Sequence, residues 1–235
     1  MKKNLKKGIS LIRYGAAFQL NLVLFIIMFV LGIAFEVLGF RAVGTKMSLN
    51  SGFMGIDLGA VFLLCTAAFP GQMTLSVDLS ALAQTSPHKK NIQTSMVTKM
   101  NLVFSLIAMT LVVVIRLIMC AVTHTGITEG LGNLWYSAGI LEFVLLLFFA
   151  VCYKYFIATM VVMYLVLMAV GWGLGFAVGS GVISAMTLIL HPVASLLVSY
   201  AFLILGAVLG NGISRLLYQK NLSKLAFGIS MQRTK

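Results

Sequence analysis

The sequence predicts an all-α, polytopic membrane protein, and three observations carry that prediction. The 235 residues are 60% hydrophobic and only 9% charged, with a mean hydropathy of +1.05. A soluble domain of this size needs far more polar surface. Several apolar runs reach the length of about 18 residues that crosses some 30 Å of hydrocarbon as a helix. Alternating segments of about ten residues, the mark of a membrane barrel, are absent.

The elements follow in chain order. Residues 1–17 are basic, with Leu5, Ile9, Ile12 and Ala16 at helical spacing, and read as an amphipathic elbow helix on the membrane surface. A secretory signal is the rival. The following run, Phe18–Leu38, is too long for a signal core, and Glu36-Val-Leu-Gly offers no good cleavage site. Further runs lie near Phe53–Val77, Leu102–Val122 and Leu134–Tyr153, followed by a nearly uncharged stretch from Tyr155 to Ser214.

Charge bias decides how many times the chain crosses. With six spans and both termini cytoplasmic, Lys2, Lys3, Lys6, Lys7, Arg13, Lys89, Lys90, Lys99, Lys154, Arg215, Lys220, Lys224, Arg233 and Lys235 all lie inside. Those are fourteen of the seventeen basic residues. Arg41 and Lys46 face out, and Arg116 lies within a span. Seven spans would strand the tail charges outside, against the positive-inside rule. The predicted location is the plasma membrane, multi-pass.

The surplus before the last span, residues 171–192, reads as broken helices re-entering from the outer face. Gly171, Gly175 and Gly179 recur every four residues, a close-packing pattern. A fifth helix that simply continues is the alternative. Gly55-Ile-Asp-Leu-Gly59 and the outer part of the first span are further candidate helix contacts.

Several motifs that look catalytic fail on chemistry. Gly39-Phe-Arg-Ala-Val-Gly-Thr-Lys46 approaches a P-loop, but Thr45 and Lys46 stand in the wrong order and no strand precedes them. The chain is thus expected to carry no nucleotide site and not to be an enzyme itself. Gly179-Ser180-Gly181 with His191 brings an intramembrane serine protease to mind, without the glycine two positions before the serine. His88, His124 and His191 are scattered, so no metal site is expected. Cys65, Cys120 and Cys152 sit inside apolar runs as core residues.

The ionisable groups within spans are more informative. Arg116 lies about six residues, or ~9 Å, from the outer end of the third span. Glu142 lies about eight, or ~12 Å, from the outer end of the fourth. Similar depths allow them to pair and to line the outer half of a translocation path. Alternatively, Arg116 snorkels outward.

The layout now has a likeness. A basic elbow helix, six spans with both ends inside, a basic loop after the second span, and a broken apolar segment before the last together resemble the permease subunit of a type-2 ABC exporter. Ser86-Pro87-His88-Lys89-Lys90-Asn91-Ile92, within the 84–100 loop, looks like the coupling element of that family. Its residues suit a short helix. Ser86 is a good N-cap and Pro87 a good first residue, and Ile92, Met96 and Met100 share a face rimmed by Lys89, Lys90, Asn91 and Gln93. The resemblance implies a separate cytoplasmic ABC ATPase, present in two copies and binding the ATP and magnesium, and a second permease copy, identical or related. Small permeases of this kind resemble exporters of amphipathic peptides, including phenol-soluble-modulin and lantibiotic-immunity systems, with drug, lipid-linked glycan and haem export as the open alternatives. The Met- and Phe-rich interior suits such a cargo, and no nucleic acid partner is expected. The rival function is an ATP-independent secondary transporter, which would want inverted repeats and more buried carboxylates than Glu142 alone.

Overall fold

The computed structural model describes residues 18–43, 58–67, 87, 89–152, 155–180 and 189–219. Among the described residues it is all helical, with no strand. The predicted elbow helix at 1–17, and residues 181–188 of the predicted re-entrant segment, lie outside them.

Helix α1 spans Phe18–Val43 and α2 spans Leu58–Thr66. A helical turn at Lys89–Asn91 and a π-helical turn at Ile92–Met96 run without a break into α3, Val97–Thr123. His124, in the left-handed conformation at φ 53°, ends that helix. Few non-glycine residues adopt such a φ, and histidine is among the more tolerant. The chain then makes a short helix, α4, at Ile127–Leu131, a π turn at Trp135–Gly139, and α5 at Ile140–Cys152. Helix α6 is Phe156–Gly179, and α7, with Pro192 at its first position, is Pro192–Leu217.

Three helical runs among the described residues are long and apolar enough to cross a membrane: Gln93–Thr123, Ile127–Cys152 and Pro192–Leu217. Their outward faces are greasy, with Ile107, Val122, Leu197, Val208 and Leu216 more than half exposed. In water such a surface would be unstable, and in lipid it is the expected covering. The chain is a multi-pass membrane protein.

Two glycine contacts set the helix packing. A Cβ on Gly59 of α2 would collide with the backbone and carboxylate of Glu36 in α1, and one on Gly32 would lie 2.7 Å from Leu63 Cγ. Gly59 and the outer part of α1, each a candidate contact surface in the sequence, thus lie with backbones in direct apposition within one chain. On the other side, Gly206 and Gly210 of α7 seat against α5. Added Cβ atoms there would meet Leu146 Cβ at 3.3 Å and the Leu146 carbonyl at 3.2 Å, respectively. Without a hydrophobic drive between helices in lipid, such close approach is how they gain contact. Between these pairs, α3 contributes the central apolar surface of Ala108, Met109 and Val112, packed with Leu63, Leu64, Leu134, Leu141 and Leu203.

The structure revises two expectations. Gly171, Gly175 and Gly179 belong to one continuous helix, α6, so the first half of the predicted re-entrant segment is ordinary helix. The coupling segment is not a separate short helix but the first turns of the run that becomes α3.

Candidate functional site: a buried polar file along helix α3

The buried face of α3 carries Asn101, Ser105, Ala108, Met109, Val112 and Arg116. Their three- and four-residue spacing places them on one stripe. That stripe faces inward, so its polar members are taken into the bundle with the apolar ones. Arg116 is only 2% exposed and Glu36 also 2%.

The Arg116 guanidinium is held by groups from three parts of the chain. Its Nε donates to Glu36 Oε1 of α1 at 2.6 Å. One terminal nitrogen donates to the Gly130 carbonyl of α4 at 3.2 Å and to Asn133 Oδ1 at 2.7 Å. Taking both charges out of solvent costs several kcal/mol per ion, and these charge-assisted bonds are what offset it. The turn after α3 folds back so that Gly130 and Asn133 meet the arginine. Arg116 does not snorkel to water.

A further contact closes this end of the bundle. Leu190 N–H donates to the Gly132 carbonyl at 3.0 Å. A Cβ on Gly132 would stand 2.6 Å from Ile189 Cγ2 and 2.8 Å from the Leu190 carbonyl. Glycine at this turn lets the segment before α7 lie against it. The Trp135 N–H also donates to Ser195 Oγ of α7, at 3.2 Å.

Glu142 does not pair with Arg116. The two residues do not lie at similar depths, because the helical run that holds Glu142 begins at Ile127 and not near Leu134. Asn133 already touches the Arg116 guanidinium, so Glu142, nine residues on, lies ~13 Å deeper along the helix. On α3, the residue facing Glu142 is Ser105, which is eleven residues, ~16 Å, from Arg116. Both routes give about the same offset.

Glu142 is 1% exposed, and neither carboxylate oxygen completes a hydrogen bond among the described residues. Ser105 of α3 and Cys65 of α2 face it. Asn101 Oδ1 and Ser137 Oγ are likewise buried without a hydrogen-bond partner among the described residues. Ser137 lies in the π turn ahead of α5, a distortion common at functional positions. Asn101, the Ser105–Glu142 pair, Ser137 and the Asn133–Arg116–Glu36 cluster thus mark successive depths along the α3–α5 contact.

The opposite end holds the predicted coupling residues. Ser86 and His88 lie outside the described residues, as do the side chains of Lys89 and Ile92. Pro87, Lys90 and Asn91 are exposed. Met96 turns inward, packing with Phe25 and Met28 of α1 around Met100, which is 1% exposed. The apolar stripe expected to meet a partner is thus spent, at Met96 and Met100, on internal packing. What this end offers instead is an open cavity of about 400 Å³ lined by Pro87, Lys90, Asn91, Thr94, Ser95 and Arg215.

Sequence reasoning missed Glu36 as a charged partner and Asn133 as a ligand of the arginine. Glu36 had a signal, being an acid inside an apolar run in a chain with five acids. Asn133 had none, because only the fold-back of α4 brings it to Arg116. No known family model, curated protein or solved structure matches this chain.

Proposed function

We propose that this chain is a six-span permease subunit of an ABC exporter, with both termini in the cytoplasm, moving a hydrophobic or amphipathic peptide. The observation that supports this best is the unbroken helical run from Lys89 to Thr123. It carries an exposed basic end at Lys90 and, 26 residues or ~39 Å away, the buried Arg116 cluster. A push on the Lys90 end by a partner ATPase would reach the far side of the membrane through one rigid element. The chain would work beside a second permease copy, and ATP and magnesium would be bound by the ATPase subunits.

Co-expression tests this reading. The ATPase subunit should co-purify with the wild-type chain, and Lys89→Glu with Lys90→Glu should abolish capture while leaving membrane insertion intact. Normal capture by the double variant would refute the coupling role.

One observation favours a second reading, an ion-coupled transporter without ATPase. The expectation of a single buried carboxylate is corrected by the structure: Glu36 and Glu142 are both buried, and Glu142 has no cationic partner among the described residues. Transport into vesicles driven by a proton gradient, with no ATPase present, would establish that alternative over the first.

A further inference from the structure

The cavity at the Lys90 end combines charge, position and an adjoining apolar surface in a way the coupling reading does not use. Two of its six lining residues, Lys90 and Arg215, are cations, and both are exposed. Among the described residues, the carboxylates are Glu36, Glu129 and Glu142. The first and last are buried within the bundle, and Glu129 lies in α4 at the far end. Among the described residues no carboxylate neutralises this pair of cations, and their charge favours an anionic occupant.

Its position narrows the source. The cavity is bounded by the first turns of the Lys89–Thr123 run and the last turn of α7, where two membrane-crossing runs end. The π turn at Ile92–Met96 contributes Thr94 and Ser95 to its wall. The Thr94 hydroxyl is tied to the Lys90 carbonyl at 2.6 Å, which fixes that wall.

Arg215 also stands at the end of an exposed apolar stripe. Leu197, Ile204 and Val208 are 67%, 56% and 63% exposed. The steps from Leu197 to Ile204, Val208 and Arg215 are seven, four and seven residues, so all four lie on one face of α7. Val208 and Ile204 stand ~10 and ~16 Å along the helix from Arg215, within the reach of one acyl chain.

We propose that this cavity binds the phosphate headgroup of an anionic phospholipid, held by Lys90 and Arg215, with an acyl chain along Val208 and Ile204. Basic pockets between membrane helices on the cytoplasmic side recognise lipids by this chemistry. The inference does not depend on an ATPase partner and is tested on the chain alone.

The test places the purified full chain in phosphatidylcholine nanodiscs with and without phosphatidylglycerol, and measures retained lipid by native mass spectrometry after release. Wild type should retain phosphatidylglycerol over phosphatidylcholine. Lys90→Gln or Arg215→Gln should each weaken that preference about fivefold, and the pair about thirtyfold. Lys99→Gln, an exposed lysine of α3 outside the cavity, should leave it unchanged. Monodisperse elution of every variant shows that the fold is retained.

Equal retention of the two lipids by wild type, or undiminished preference in the double variant, overturns the proposal. So does full competition by inorganic phosphate, which would assign the cavity to a soluble anion. If the double variant keeps its lipid but loses ATPase capture, the cavity is a protein-docking surface, and only the coupling reading survives.

Discussion

Replacing Glu36 with glutamine removes a charge from the buried cluster while keeping a carbonyl that can accept from Arg116 Nε. The structure supplies the terms of the cost. Both side chains are nearly inaccessible and 2.6 Å apart at the contact. At an effective dielectric of about 20 and a charge separation of about 4 Å, the lost attraction is about 4 kcal/mol. That agrees with the 3–5 kcal/mol typical of a buried pair broken on one side, where the stranded ion dominates the loss. Gly130 and Asn133 would still hold the guanidinium, so Glu36→Gln should land toward the lower end, about 3 kcal/mol. Pairing it with Arg116→Met removes the stranded cation and should recover most of that loss. Urea or thermal unfolding of the purified chain in a mild detergent measures all three variants. Losses under 1 kcal/mol for the single change, the range of an exposed surface pair, would refute the claim that this cluster is shielded from solvent.

Other expectations follow from the same contacts. Gly59→Ala should destabilise the chain by about 1–3 kcal/mol in that assay, because the new methyl meets the Glu36 backbone. Gly173→Ala in α6, where a Cβ meets nothing within 4 Å, should be neutral or stabilising by up to about 1 kcal/mol. Glu142→Gln should leave stability unchanged or raised, since no cation pairs with the carboxylate among the described residues; if Glu142 serves transport, vesicle uptake falls while the unfolding midpoint holds. Gly210→Leu should drive α7 off Leu146 and Ala150, seen as a large drop in monodisperse yield.

The helical, membrane-embedded class was legible because it rests on composition and on run length, which need no knowledge of neighbours. Gly59 was legible as a candidate contact surface, but that it meets Glu36 of the same chain was not. Arg116 and Glu142 were recognisable as unusual residues, yet their relation was not. Depth counted along separate segments assumed that each span starts at the same level. The turn from His124 to Asn133 breaks that assumption by folding back onto the arginine. The glycines at 171, 175 and 179 misled for a related reason. Glycine lowers helix propensity in water, but within a long apolar run the backbone bonds to itself and the helix continues.

What the sequence by itself determined is the solvent this chain is built for, the apolar runs that enter it, and the basic loops that favour one orientation. Local composition decides those, because each residue's transfer free energy acts on that residue alone. Only the tertiary structure decided that Arg116 answers to Glu36, that Met96 packs inward, and that Lys90 and Arg215 share one cavity. Those facts depend on which helices touch and at what register, and burial makes the choice costly to get wrong. A buried charge must find its partner across 80 positions of chain, and no spacing within one helix can say where that partner lies.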